Sequence, residues 1–304
     1  MDEAATKNTS PSVVMRLWRN DWLRAFVFAL GILLLLHLFV VRFVSVQSTS
    51  MFSTLRPGDL LLVKRWTRWT GADPGDIVVF RDPLKDHQPL SQRPLMVKRV
   101  VAGPGDKMEI RRGRLLLNGK PVPDPEGTTY SYLVRLRAGA APETLLQRMG
   151  LPLELAHGGD GNLELPLNGA LAARAKEDAD VVSVSAMRLA SGARPHVFPF
   201  SPRYPWNGDD YGPVTVPAAG DTLHINVDNL PLYDRLMSVY EGHRIGANGS
   251  QLTLDDAPLE AYVVQQDYYF VLGDSRHFSA DSRYWGFLPA DHVVGSGGIV
   301  LLQR

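Results

Sequence analysis

"PLMVKRVVAGPGDKMEIRRGRLLLNGKPV", residues 94–122, reads as three strands punctuated by turns. Its first part is apolar and β-branched, and Pro104-Gly105-Asp106 ends it. Two further strands flank Arg112-Gly113, and Asn118-Gly119 marks a second tight turn. Lys98 stands inside the first strand, between Val97 and the alternating Val100. A strand lysine ordinarily points to solvent. One turned inward loses hydration, and its pKa falls toward the range where a neutral amine exists.

Outward from this stretch the β pattern continues. "DLLLVKRW" (59–66) and "GDIVVF" (75–80) are short strands with turn residues at their starts. Residues 249–274 return to strands, and "GGIVLL" (297–302) closes the chain. The middle changes character. "YSYLVRLRAG" (130–139) predicts a strand, "APETLLQRMG" (141–150) a short helix, and 162–189 a strand, a helix and a strand. This mixed block, roughly 129–190, has the look of an inserted unit. "LYDRLMSVYEGHRI" (232–245) carries helical periodicity, with Leu232, Leu236, Val239 and Tyr240 on one face.

Before the β region lies "AFVFALGILLLLHLFVV", residues 25–41, interrupted only by His37 and extended past Arg42 by Phe43 and Val44. As a helix it would be about 26 Å long, near the thickness of a hydrocarbon core. Arg16, Arg19 and Arg24 precede it and favour a cytoplasmic N-terminus. The run is longer than a cleaved leader's apolar region, so a retained anchor is expected. The expected fold is a mainly β catalytic domain with an α/β insertion and one N-terminal transmembrane helix. Its parts are a cytoplasmic tail (1–20), the anchor (21–44), the first catalytic part (45–125), the insertion (126–260) and the C-terminal catalytic part (261–304).

Composition narrows the chemistry. The 304 residues hold 32 basic and 32 acidic side chains, so bulk electrostatics offer nothing to a nucleic acid. The absence of cysteine excludes disulfides, a thiol nucleophile and cysteine-held metal. The eight histidines show no metal-site spacing, and no metal or other cofactor is expected. "GSGG" (295–298) lacks the lysine of a phosphate loop, and no G-x-S-x-G elbow occurs. Three stretches remain: "STSMFSTL" (48–55), the strand around Lys98, and "GDSRHFSADSRYWGF" (273–287). Each taken alone reads as ordinary structure: solvated hydroxyls, a solvent-facing lysine, and a turn held by Asx contacts and an Asp–Arg pair.

Together, and in this order behind an apolar segment, they resemble the bacterial type I signal peptidases (leader peptidases), membrane-anchored Ser/Lys endopeptidases. The resemblance covers the anchor, 46–122 and 268–295, and hardly touches 125–260. It implies Ser50 as nucleophile and Lys98 as general base. Ser48 would add a hydroxyl to the oxyanion hole beside the Ser50 amide, and Ser279 would hydrogen-bond and orient Lys98. Asp281 and Arg283 would brace the turn, and Gly273 would allow close backbone approach. Val46, Met51, Leu55, Leu61, Val79, Met96 and Val97 fall at positions that line two shallow substrate pockets. The implied partners are the signal peptides of preproteins, the lipid bilayer and the secretion translocon. The implied location is a bacterial inner membrane, with the catalytic domain outside the cytoplasm. The chain departs from the family pattern at Phe52-Ser53, where proline is usual at the second position, and at Ser275, where asparagine is usual. A peptidase dedicated to few substrates, or a non-catalytic anchored binding protein, are the alternative readings.

Overall fold

The computed structural model describes residues 21–35, 40–159, 161–248 and 251–300. Contacts divide the chain into Met1–Arg42 and Phe43–Arg304. In the first unit, helix α1 (Asp21–Leu35) is apolar on every side, with Phe26, Phe28, Leu30 and Leu33 exposed. Its 15 residues rise about 22 Å. Among the described residues no helix is long and apolar enough to cross a membrane. The continuous anchor expected over 21–44 is therefore corrected at its C-terminal end, because Val41–Ser45 is a strand, β1. Phe43 is exposed and Val44 buried, the alternation of a strand at a sheet edge. The tail 1–20 with Arg16 and Arg19, and residues 36–39 with His37, lie outside the described residues.

β1 is followed by β2 (Leu60–Lys64), β3 (Ile77–Arg81) and β4 (Leu95–Ala102). Next come β5 (Lys107–Arg111), β6 (Arg114–Leu117) and β7 (Lys120–Pro121). Arg112-Gly113 and Asn118-Gly119 all have positive φ, as two-residue hairpin loops that match the strand twist require.

Residues 130–186 then build a sheet of their own. Its elements are β8 (Tyr130–Leu136), α2 (Pro142–Met149), β9 (His157–Gly159), β10 (Asn162–Leu167), α3 (Gly169–Glu177) and β11 (Val181–Ala186). The strand order is β11-β8-β10-β9, every pair antiparallel. Counted within the unit this is 4-1-3-2 in a β-α-β-β-α-β chain, the split β-α-β (ferredoxin-like) arrangement. Pro142 starts α2 and left-handed Gly150 ends it, while the Asn168 side chain caps α3 by accepting from Leu171 N–H at 2.9 Å. Leu145, Leu146, Met149, Ala172 and Ala175 close one core with Val134, Leu136, Leu163, Leu165 and Leu167. Each fully buried leucine contributes about 2 kcal/mol, so this unit carries its own stabilisation.

The chain returns through β12 (Tyr211–Thr215), which pairs with β5 in the sheet β12-β5-β6-β7. Two small sheets follow, one from β13 (Thr222–His224) and β17 (Ala261–Val263), the other from β14 (Ile245–Asn248), β15 (Gln251–Leu254) and β16 (Ala257–Pro258). Between β13 and β14, Leu232, Leu236 and Met237 join a core with Met108, Ile110, Tyr211, Tyr268 and Phe270. Within 126–260, then, 130–186 has a core distinct from that of 211–264, which packs with the hairpin β5–β6 and with the strand that follows it.

That strand, β18 (Tyr268–Leu272), with β19 (Leu288–Pro289) and β20 (Val293–Val300), completes a seven-stranded sheet ordered β1-β2-β20-β3-β4-β18-β19. β3 pairs with β4 along Leu95–Arg99, whereas β18 reaches only Arg99, Val100 and Ala102. β4 thus has an unpaired edge from Leu95 to Lys98 on the β18 side, and the candidate site lies where β18 ends.

Candidate active site

Ser50 sits in a tight turn closed by Phe52 N–H to Thr49 O (2.9 Å) and Leu55 N–H to Met51 O (2.8 Å). Lys98, on β4, turns inward and is 2% exposed. Its Nζ donates to Ser50 Oγ at 2.6 Å and to Val97 O at 3.1 Å. Burial lowers the Lys98 pKa from 10.5 to about 8, against the opposing pull of Asp281, Asp274 and Asp82. Near neutral pH a useful fraction of the amine is unprotonated. Ser48 Oγ lies 3.0 Å from Ser50 Oγ, and no described residue accepts the Ser50 N–H.

The turn at 273–283 backs this pair. Asp281 accepts from Gly273 N–H (3.0 Å) and from both Nε (2.9 Å) and Nη2 (2.8 Å) of Arg283. Arg283 also donates to Gly208 O and Arg276 O. Burial pushes the Asp281 carboxyl up, but the Arg283 guanidinium, the Gly273 N–H and the Ser279 hydroxyl together outweigh it and the pKa is lowered. A Cβ on Gly273 would stand 2.2 Å from Ser279 Oγ and 2.5 Å from Ser50 O. No side chain fits there. The hydrogen bond expected between Ser279 and Lys98 is absent: the buried Ser279 hydroxyl has no partner of normal geometry among the described residues, although it lies near enough to help lower the Asp281 pKa.

The seven residues expected to line pockets divide. Val46, Met51, Leu55, Leu61 and Val79 are buried together, with Val97 packed on them. Met96 packs instead with the cluster of Val78, Phe80 and Val100, because alternate residues of β4 face opposite sides. Leu95, Met96 and Val97 are half-buried and present apolar surface along the open edge, whereas the five others are core. Leu95 shares the Val97 face and was legible from the period-2 spacing.

Other contributors lie in or beside the quoted stretches, but their pairing carried no sequence signal. Arg99 makes a bidentate ion pair with buried Asp274 (2.8 and 2.6 Å). Ser275 N–H donates to Ser50 O at 3.0 Å. Thr129 Oγ1 donates to Phe52 O (3.1 Å) and lies 3.2 Å from the Ser275 hydroxyl, from which it can accept. These pairs join positions up to 175 residues apart, beyond the reach of any local pattern.

Fold and site define a mainly β protein with a buried serine–lysine pair at an open sheet edge. The family described as signal peptidase, peptidase S26, matches residues 19–147 and 212–302, more than half of the chain, and the chain belongs to that family. It is similar to Signal peptidase I of Bacillus amyloliquefaciens, 31% identical over 107 residues, which are 34% of this chain and 51% of that relative. It is 35% identical over 99 residues to Signal peptidase I of Leptolyngbya laminosa (32% of this chain, 46% of the relative). Over 39 residues it is 46% identical to Signal peptidase I of Aquifex aeolicus (strain VF5), covering 13% of this chain and 15% of the relative. The chain spans about half the length of the first relatives it matches. Most of the split β-α-β unit, from 148 on, lies outside the family match.

Proposed function

We propose that this chain is a membrane-anchored serine endopeptidase that removes signal peptides from exported preproteins, with Ser50 as nucleophile and Lys98 as general base. The carrying observation is the 2.6 Å contact between Lys98 Nζ and Ser50 Oγ, made by a lysine whose burial lowers its pKa. Neutral Lys98 takes the Ser50 hydroxyl proton as Oγ attacks the scissile carbonyl carbon. The Ser50 N–H and the Ser48 hydroxyl donate to the oxyanion, each good donor contributing about 3–4 kcal/mol. Protonated Lys98 then gives its proton to the leaving amine. The mature chain departs, and an acyl ester on Ser50 remains. Lys98 next draws a proton from water, which hydrolyses the ester.

An extended substrate adds as a strand along Leu95–Lys98, where β4 lacks a neighbour on its β18 side. The half-buried Leu95, Met96 and Val97 favour small apolar residues before the cut. In this reading the apolar N-terminal segment holds the site at the outer surface of a bacterial inner membrane, where preproteins emerge from the translocon. A narrower reading keeps the chemistry but restricts the substrates. What favours it is the split β-α-β unit, which extends past the family match.

The test is cleavage of a preprotein with an Ala-x-Ala site by detergent-solubilised full chain. Wild type should cut after the final Ala, and Lys98→Ala should not. Equal cutting by both would refute the lysine base. Cutting of some preproteins and not others with the same Ala-x-Ala would favour the narrower reading.

A further inference from the structure

We infer that the split β-α-β unit is a positioning element for the nucleophile, acting through Phe52. The inference rests on Ser50 being that nucleophile. Phe52 follows Ser50 by two residues, yet its side chain, 1% exposed, belongs to the core of the 130–186 unit, together with Val134, Leu145, Leu165 and Ala175. The nucleophile turn and the inserted unit share one hydrophobic core.

The backbone around Phe52 is held by the segment just before the strand that opens the unit. Ser53 N–H donates to Gly127 O at 3.1 Å, and Thr129, immediately before β8, donates its hydroxyl to Phe52 O. The same Thr129 accepts from Arg276 N–H (2.9 Å) and donates its own N–H to Asp274 O (2.9 Å). Next along that loop, Ser275 N–H holds Ser50 O, and the Phe278 ring lies 5.2 Å from His157 of β9. Three segments, 50–53, 127–129 and 274–278, are thereby locked into one block, and Phe52 is the point where the block enters the unit's interior. Rotation of the Ser50 turn away from Lys98 would withdraw Phe52 from that core. A side chain there fixes the angle at which Ser50 Oγ meets the amine, without touching substrate itself. A displacement of about 1 Å at a reacting atom costs roughly a hundredfold in rate, so modest loosening should register in kcat.

The experiment measures kcat and KM for preprotein cleavage by the full chain in detergent, for wild type, Phe52→Ala, Phe52→Leu, Leu145→Ala and Ser50→Ala. Leu145 lies in α2, inside the same core. Phe52→Ala should lower kcat at least tenfold with KM within twofold of wild type. Phe52→Leu should recover most of that loss, and Leu145→Ala should lower kcat about threefold with KM unchanged. A folded Phe52→Ala with wild-type kcat, or a loss confined to KM, would overturn the positioning role. If Phe52→Ala does not fold, wild-type kcat in both Phe52→Leu and Leu145→Ala overturns it equally. Cleavage by wild type and not by Ser50→Ala, with all core variants unaffected, removes the positioning role and leaves the peptidase reading standing. Absence of cleavage by wild type, or full cleavage by Ser50→Ala, removes both.

Discussion

Replacing Lys98 by methionine should remove a pH-dependent cost to stability while eliminating activity. Lys98 is 2% exposed and its pKa falls from 10.5 to about 8 on folding, with burial the dominant cause. A tenfold change in a proton-binding constant corresponds to about 1.4 kcal/mol, so burying the charged form costs on the order of 3 kcal/mol. The folded-state pKa lies below the unfolded one. Well below pH 8 both states are protonated and the native state bears the full cost. Between 8 and 10.5 the unfolded state binds more protons, stability rises with pH, and above 10.5 the cost is gone. Methionine has a similar unbranched shape and no charge. It forfeits the hydrogen bonds to Ser50 Oγ and Val97 O, each about 0.5–1.5 kcal/mol or more when the donor is charged, which offsets a large part of that cost. The net gain at pH 6.5 is therefore about 0–2 kcal/mol, at most roughly 8 °C in Tm, and the difference between the two proteins should shift by about 3 kcal/mol between pH 6.5 and 10.5. At pH 10.5 the gain should reverse. Thermal unfolding of the full chain in detergent, followed by fluorescence at pH 6.5, 8 and 10.5, reads both numbers. A stability difference constant across that range would refute the buried-charge reasoning.

Two other outcomes follow from the same geometry. The rate of preprotein cleavage should rise with pH through a midpoint near the Lys98 pKa of about 8, since the amine must be neutral to accept the Ser50 proton; a rate flat from pH 6 to 9 would exclude it as base. Gly273→Ala should reduce kcat by about a hundredfold even where the protein folds, because its Cβ would press on Ser279 Oγ and the Ser50 carbonyl; wild-type kcat in a folded variant would show that the close approach has no bearing on the site.

Much of the local structure was legible because its signals are local. Pro-Gly-Asp and Asn-Gly turns, β-branched runs and the β-α-β alternation of 130–186 are written within a few residues of where they act. The sequence pattern also marked Ser50 and Lys98, through motifs whose order resembles a family. It misread the end of the apolar run. Val41–Ser45 joins a sheet, since Val44 gains burial there with Val46 and Leu61 that continued helix would not supply. Five of seven expected pocket residues proved to be core, because apolar character does not separate a residue that lines a groove from one beneath it.

Local pattern specified most element types, the turns, and Ser50 and Lys98 through motifs that resemble a family. It took the folded chain to show that Lys98 points inward, that β18 stops short and leaves β4 open, that Ser279 does not bond Lys98, and that Phe52 belongs to the core of a unit beginning 78 residues later. Strand and turn preferences arise from neighbouring residues. Desolvation, edge pairing and shared burial arise from atoms that become neighbours only when the chain has folded.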